Sequence, residues 1–218
     1  MKKLIIILGI VFCVWSTAWA APIEIVCVLD KSGSMEPVQN DIIGNFNTFL
    51  SNQKKSSSGA MFSLILFDTN ITSKRGVIDE FKPLTTEQYQ PDGYTALYDA
   101  IGTAITDLEN SVTPDTIVIF AIITDGKENS STKYTSDQIK YRISHFESWH
   151  PWTFLYLAAN QDAFVESQKI GITDGHWTDI DLTTSTDCST TFQTLTDSVN
   201  TVIQDGDIDF QDRNNINP

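Results

Sequence analysis

Basic residues are scarce in this sequence, whose 218 residues include 14 lysines and arginines but 28 aspartates and glutamates. The formal net charge is therefore −14 at pH 7. A surface of this sign repels the phosphates of nucleic acids and anionic lipid headgroups, and it attracts cations. The composition argues against a nucleic-acid-binding protein and is compatible with the binding of divalent metal ions.

Cysteine and histidine are also sparse, with three of each in the chain. Neither residue type shows the short, repeated spacing that is typical of a zinc site. Cys27 lies within an apolar run, where a small buried thiol is expected. A Cys27–Cys188 disulfide is also chemically possible in an oxidising compartment, and the sequence leaves both alternatives open.

Long apolar runs are absent apart from one at positions 4–15. This run follows two lysines and precedes Ala-Trp-Ala at 18–20, so residues 1–20 have the pattern of a signal peptide. The run is shorter than the about 20 residues that a membrane-spanning helix needs. We predict cleavage after Ala20, with an uncleaved anchor as the alternative. Cleavage removes two lysines and no acid, which leaves a mature chain of net charge −16.

No other segment is apolar enough to cross a bilayer, so we predict no transmembrane span in the mature chain. The predicted location is periplasmic, secreted or at the cell surface. Residues 21–204 are predicted to form one domain, and residues 205–218 are predicted to form a polar, acidic tail.

Strand and helix patterns alternate along this domain. We predict strands at 23–29, 61–67, 71–77, 116–124 and 152–158, with a short strand near 176–180. We predict helices at 37–54, 97–108, 162–170 and 187–204, and a further helix that opens at a capping box, Thr135–Gln138.

Only three residues separate Met61–Phe67 from Ile71–Val77, which predicts a hairpin and hence an antiparallel pair at one edge. The other strands are joined through helices. The predicted fold class is therefore α/β: a doubly wound, mostly parallel sheet with one antiparallel edge strand and helices on both faces.

Oxygen-bearing side chains follow two of the buried strands. Asp30, Ser32 and Ser34 come directly after the strand 23–29, and an extended backbone there would turn both hydroxyls to the same side. Asp125 comes directly after the strand 116–124. The carboxyl ends of parallel strands are where open α/β folds bind ligands, and hard oxygens suit Mg²⁺ or Mn²⁺ rather than zinc.

A third segment, Gly93-Tyr94-Thr95-Ala96-Leu97-Tyr98-Asp99-Ala100, leads from a loop into a helix. Taken together, the three segments resemble those of the von Willebrand factor type A (vWA) family, whose fold is Rossmann-like. The resemblance implies a metal-ion-dependent adhesion site (MIDAS) built from Asp-x-Ser-x-Ser, a distant Thr and a distant Asp. The corresponding residues in this sequence are Asp30, Ser32, Ser34, Thr95 and Asp125.

Two further acids are candidates for supporting roles. Asp99 lies one helical turn after Thr95, where it could hold a ligand residue in place, and Glu128 could rim the site. Each candidate residue also has an ordinary structural explanation as a strand-end acid, a helix cap or a turn residue.

The resemblance implies a non-catalytic binding module with Mg²⁺ or Mn²⁺ as cofactor. Its partner would be a protein that presents an Asp or Glu carboxylate to the metal. One alternative is a Mg²⁺-dependent phosphatase with Asp30 as nucleophile, although Ser32 then stands where a general acid is needed. A purely structural domain with a vestigial site is the other alternative.

Overall fold

The computed structural model describes residues 21–159, 163–172, 176–180, 182 and 185–205. The predicted signal peptide and almost all of the predicted tail lie outside these residues. The described strands are β1 (Ile23–Asp30), β2 (Met61–Phe67), β3 (Ile71–Val77), β4 (Ile117–Thr124), β5 (Trp152–Ala159) and β6 (Trp177–Ile180). The α-helices are α1 (Gln39–Ser56), α2 (Leu97–Glu109), α3 (Ser136–Trp149), α4 (Ala163–Lys169) and α5 (Ser185–Asp205).

All six strands form one sheet in the order β3-β2-β1-β4-β5-β6. β3 pairs with β2 in antiparallel fashion, and every other described pairing is parallel. The predicted fold class is confirmed. The switch in strand order lies at β1, which has β2 on one side and β4 on the other, so ligands are expected at the carboxyl end of β1.

The sheet separates two hydrophobic cores, because successive side chains of a strand point to opposite faces. Ile25, Cys27 and Leu29 of β1 pack on one side, together with apolar residues of α1 and α5. Val26 and Val28 pack on the other side with α2 and α3. The central strands are therefore buried on both faces, as their continuous apolar runs predict.

Local signals in the sequence mark two helix ends in the structure. Thr135 and Gln138 form the predicted capping box at the start of α3, with each side chain bonded to the other residue's backbone N–H. Gly171 follows α4 with φ of +84°, a conformation that favours glycine after a helix.

The start of the first helix was predicted wrongly. Pro37 was expected to open it, but it lies inside a 3-10 helix, Gly33–Val38, and α1 begins at Gln39. This tighter turn starts with a bond from Met35 N–H to the Ser32 carbonyl. Pro37 is the fifth residue of this 3-10 helix, so it precedes α1 and does not mark the first turn of that helix.

Cys27 and Cys188 are both buried free thiols. Of the two alternatives left open by the sequence, the structure has the buried thiol rather than the disulfide. Among the described residues, no helix is long and apolar enough to cross a membrane.

One carboxylate is buried in the sheet itself. Glu24 of β1 is fully buried and accepts hydrogen bonds from Ser63 Oγ of β2 at 2.7 Å and Arg75 Nη2 of β3 at 2.7 Å. The ion pair satisfies a charge that would otherwise be costly to bury, and it joins three neighbouring strands.

Candidate metal centre

The sheet register brings the ends of β1 and β4 together. Leu29 pairs with Ile123, so the next residues, Asp30 and Thr124, lie side by side. The Thr124 hydroxyl donates a hydrogen bond to Asp30 Oδ2 at 2.5 Å. The backbone N–H of Ser32 donates to Asp30 Oδ1 at 2.7 Å. Both carboxylate oxygens of this fully buried residue are therefore held in place.

A chain of oxygen atoms continues from there to β4. The hydroxyls of Ser32 and Ser34 lie 3.1 Å apart, and Ser34 Oγ donates to Asp125 Oδ1 at 2.6 Å. Ser32 is buried, whereas Ser34 is exposed. The cluster therefore opens to solvent on the Ser34 side, where an external group can approach it.

The backbone that places these two hydroxyls differs from our expectation. Ser32 is extended, with φ −63° and ψ 167°, but Ser34 already belongs to the 3-10 helix. The prediction of an extended segment was therefore wrong for Ser34. The hydroxyls still meet, because the turn that begins at Ser32 brings Ser34 back over it.

Thr95 reaches the same place from the loop before α2. A Cβ atom placed on Gly126 would lie 2.8 Å from Thr95 Oγ1 and 3.5 Å from Asp30 Oδ2. The threonine hydroxyl and the aspartate carboxylate thus approach the same point of the backbone, directly after Asp125. Only glycine leaves this space open, which the sequence gave no reason to expect beyond an ordinary turn.

The position of Thr95 is fixed by the loop after β4. Its N–H donates to Asn129 Oδ1 at 2.9 Å, and its carbonyl accepts from Asn129 N–H at 3.1 Å. The backbone at Thr95 is therefore tied on both sides, and its hydroxyl projects from a rigid segment.

Asp99 and Glu128, the two acids predicted to support the site, hold the loop after β4 rather than the five predicted metal residues. The Asp99 carboxylate accepts bonds from the N–H groups of Thr132, Lys133 and Tyr134, at 2.8 to 2.9 Å. It is buried, and it fixes the end of the loop against α2.

Glu128 has a similar role, closer to the end of β4. Its carboxylate accepts bonds from the N–H groups of Tyr98 at 3.0 Å, Ser130 at 2.8 Å and Ser131 at 2.7 Å. Glu128 thus links the loop after β4 to the first turn of α2, and its oxygens are directed to these amides.

The charges in the cluster are only partly compensated. Burial, with a smaller contribution from the charge of Asp125, raises the pKa of Asp30 to about 6, against the lowering effect of the bonds from Thr124 and Ser32. Burial also raises the pKa of Asp125, opposed by the bond from Ser34. A cation placed between the two carboxylates would reverse these shifts, because it favours the ionised forms.

Sequence reasoning missed Tyr89, whose side chain supports the backbone at Asp30. It is fully buried, and its hydroxyl donates to the backbone carbonyl of Asp30 at 2.6 Å. Burial raises the pKa of Tyr89 well above its usual value, and the charges of Asp30 and Asp125 add to this. The only signal was the presence of an aromatic residue in the otherwise polar stretch 85–93.

The loop after β1 is held between two other loops. Lys31 forms an ion pair with Asp68, and its backbone carbonyl accepts from Asp92 N–H at 3.0 Å. Gly33 N–H donates to the Gly93 carbonyl at 3.2 Å. The serine hydroxyls are thereby presented on a rigid support, while the Lys31 ammonium is directed to Asp68.

The side chains of the five predicted metal residues would suit a hard cation. They are two carboxylates and three neutral hydroxyls, which is the oxygen chemistry that Mg²⁺ and Mn²⁺ prefer. Within the described ranges, no group of three or more His, Cys, Asp or Glu side chains could hold a metal ion, so nothing there matches a zinc site.

Comparison with solved structures places the fold among vWA domains. A von Willebrand factor type A protein from Catenulispora acidiphila matches with a TM-score of 0.61 and 18% identity, over 82% of this chain and 42% of that chain. The vWF domain of a type V pili tip protein from Porphyromonas gingivalis matches with a TM-score of 0.60 and 12% identity. That match covers 88% of this chain and 99% of the domain.

The PilB minor pilin from Streptococcus sanguinis is similar too, with a TM-score of 0.64 and 12% identity over 85% of this chain and 63% of the pilin. This chain thus spans less than two thirds of the Catenulispora and Streptococcus chains. No family model matches the sequence. No curated protein matches it either. The likeness therefore establishes a vWA fold.

Proposed function

We propose that this protein is a binding module that recognises a protein partner through a divalent metal ion. Asp30, Ser32, Ser34, Thr95 and Asp125 would hold Mg²⁺ or Mn²⁺ at the carboxyl ends of β1 and β4. The observation that carries the proposal is the hydrogen-bonded chain of side-chain oxygens from Ser32 through Ser34 to Asp125, next to the buried carboxylate of Asp30.

The chemistry of the donors supports adhesion over simple storage of the ion. A cation held by two carboxylates and neutral hydroxyls would keep an attraction for a further anionic oxygen, such as a carboxylate of the partner. Ser34, at the exposed end of the cluster, leaves room for that group to approach.

The similarity to pilus proteins supports a protein partner and a location outside the cytoplasm. Export through the predicted signal peptide at 1–20 belongs to the same proposal. We propose no catalytic activity, since both oxygens of Asp30 accept hydrogen bonds and Ser32 stands where a phosphatase of this kind needs an acid.

The metal is tested by titration calorimetry with Mg²⁺ and Mn²⁺. We expect saturable binding to the wild-type protein, none to Asp30→Ala, and unchanged binding to Asp107→Asn, an exposed acid in α2. Circular dichroism checks that each variant is folded. Unchanged affinity in a folded Asp30→Ala protein would refute the assignment.

The adhesion role is tested by capture of partners from the native host, with and without EDTA. A partner that is retained in Mg²⁺ and lost with the chelator supports the proposal. Equal retention under both conditions would leave the metal a structural role only. Hydrolysis of a generic aryl phosphate would instead favour the phosphatase alternative.

A further inference from the structure

Tyr94 is an exposed aromatic residue directly beside the candidate metal centre. Its exposed fraction is 67%, whereas that of the next residue, Thr95, is 3%. Four other large apolar or aromatic side chains are exposed in the described part of the chain: Tyr141, Trp149, Phe164 and Val165. They belong to α3 and α4, so only Tyr94 adjoins a predicted metal residue in sequence.

The backbone that carries Tyr94 is fixed. Its own N–H donates to Thr69 Oγ1 at 2.9 Å, and Gly93 before it has φ of +70°. A Cβ on Gly93 would lie 2.6 Å from the same Thr69 oxygen, so the two loops approach as closely as glycine allows. The ring therefore projects from a backbone that has little freedom left to lose when a partner binds.

Neighbouring bonds extend this rigidity to both sides. The Gly93 carbonyl accepts from Gly33 N–H, which ties the segment to the loop that carries Ser32 and Ser34. On the other side, Ala96 N–H donates to the Asp68 carbonyl at 3.0 Å. Tyr94 therefore belongs to the same set of hydrogen-bonded loops as the predicted metal residues.

A tyrosine in such a position offers a broad apolar surface at low entropic cost, which is why tyrosine is enriched among the residues that dominate binding energy. On the two loops that the Gly33–Gly93 bond joins, Gly33, Ser34 and Asp92 are exposed too, and they are small or acidic. Asp92 and the overall charge of −14 disfavour a partner with a run of acids.

From this arrangement we propose that Tyr94 selects the partner's sequence. The recognised segment is a protein segment with a single Asp or Glu next to an apolar side chain, such as an aromatic residue, an aliphatic residue or proline. The carboxylate goes to the metal, and the apolar side chain packs on the Tyr94 ring. This inference rests on the proposed function and adds the chemistry of the partner to it.

The test is a selection from displayed peptides with a fixed central aspartate and random flanking positions, in Mg²⁺ and in EDTA. The wild-type protein should enrich peptides with an apolar residue beside the aspartate, in Mg²⁺ only. Tyr94→Ala should lose this preference and bind the selected peptides about tenfold more weakly or worse, as expected for the loss of a dominant contact. Tyr94→Phe should retain most of the affinity, because the ring is kept.

Tyr141→Ala is the matched control, since Tyr141 is also an exposed tyrosine, at 73%, but lies on α3. It should leave the selection unchanged. Calorimetry should show the same Mg²⁺ affinity in Tyr94→Ala as in the wild type. Metal-dependent peptides without an apolar preference, or a preference that survives in Tyr94→Ala, would overturn this inference alone. Enrichment that is insensitive to EDTA, or no enrichment, would overturn the proposed function with it.

Discussion

The hydroxyl of Thr124 and the Oδ2 atom of Asp30 are 2.5 Å apart, joined by a hydrogen bond between residues 94 positions apart in sequence. The bond holds a buried carboxylate at the centre of the site. It lowers the pKa of Asp30 but does not offset the larger effect of burial, which raises this pKa to about 6. Ionisation of Asp30 is therefore less favourable in the folded, metal-free protein than in the unfolded chain.

The first prediction concerns pH. Since the pKa of Asp30 is higher in the folded than in the unfolded chain, its ionisation reduces the free energy of unfolding as pH rises from about 4 to about 6. The loss amounts to about 3 kcal/mol and persists above that range. Urea unfolding in EDTA should show that Asp30→Asn gains stability over the wild type as pH rises.

Mg²⁺ affinity should change in the opposite sense. Protons compete with the cation for Asp30 and Asp125, so affinity should rise between pH 5 and pH 7, as calorimetry can measure. A stability difference between wild type and Asp30→Asn that does not vary with pH would contradict the burial argument.

The second prediction concerns the open space at Gly126. In Gly126→Ala the new methyl group meets Thr95 Oγ1, a short side chain on a rigid backbone that cannot move far. We expect Mg²⁺ affinity to fall about tenfold or more, which corresponds to about 1.4 kcal/mol per factor of ten. Calorimetry gives the affinity, and circular dichroism confirms the fold.

Gly44→Ala is the control for this variant. Gly44 lies in α1, and a Cβ there would have no neighbour within 4 Å. The substitution should raise the free energy of unfolding by roughly 0.5–1 kcal/mol, because alanine loses less backbone freedom in a helix, and leave metal binding unchanged. Equal metal affinity in both variants would argue against the role of Gly126.

The third prediction concerns the support beneath Asp30. Tyr89→Phe removes the hydroxyl that bonds the Asp30 carbonyl and leaves that buried acceptor with one donor fewer. We expect a loss of about 1–2 kcal/mol in the free energy of unfolding and a weaker affinity for Mg²⁺. Tyr94→Phe changes an exposed phenol instead and should alter neither quantity. Unchanged metal affinity in Tyr89→Phe would assign Tyr89 to folding only.

The fourth prediction concerns the ion pair inside the sheet. Arg75→Ala leaves the Glu24 carboxylate buried with Ser63 as its remaining partner. The cost should be about 3 kcal/mol, at the low end for a broken buried pair, because the Arg75 side chain is 33% exposed. In a Glu24→Gln background the same substitution should cost much less, and denaturant unfolding of the four proteins measures the difference. Equal costs in both backgrounds would contradict the pairing.

The sequence was sufficient for the fold because its signals are local and consistent. Continuous apolar runs mark strands buried on both faces, as in β1 and β4, and the short connection 68–70 requires the antiparallel hairpin. The capping box at Thr135 and the glycine at 171 mark helix ends through chemistry that depends on only a few residues. Pro37 was misleading because a proline near the start of a helical segment does not distinguish an α-helix from a short 3-10 helix that precedes it.

The candidate site was only partly accessible to this reasoning. Asp30 ends β1, Ser32 and Ser34 follow it within four residues, and Asp125 directly follows β4. The pairing of β1 with β4 therefore brings these residues together. The roles of Tyr89, Asn129 and Gly126 depend on the paths of long irregular loops, which no periodic pattern describes. Asp99 and Glu128 were predicted to support the site, but only the loop conformation reveals that they bind backbone amides.

The exposed edge strand β3 is a place where two molecules could pair through their sheets at high concentration. Its residues 72–75, Thr-Ser-Lys-Arg, are all exposed. A strand added by a neighbouring molecule would have to desolvate the Lys74 ammonium, which opposes pairing at this edge. We therefore expect little association between molecules through this edge, even at high protein concentration.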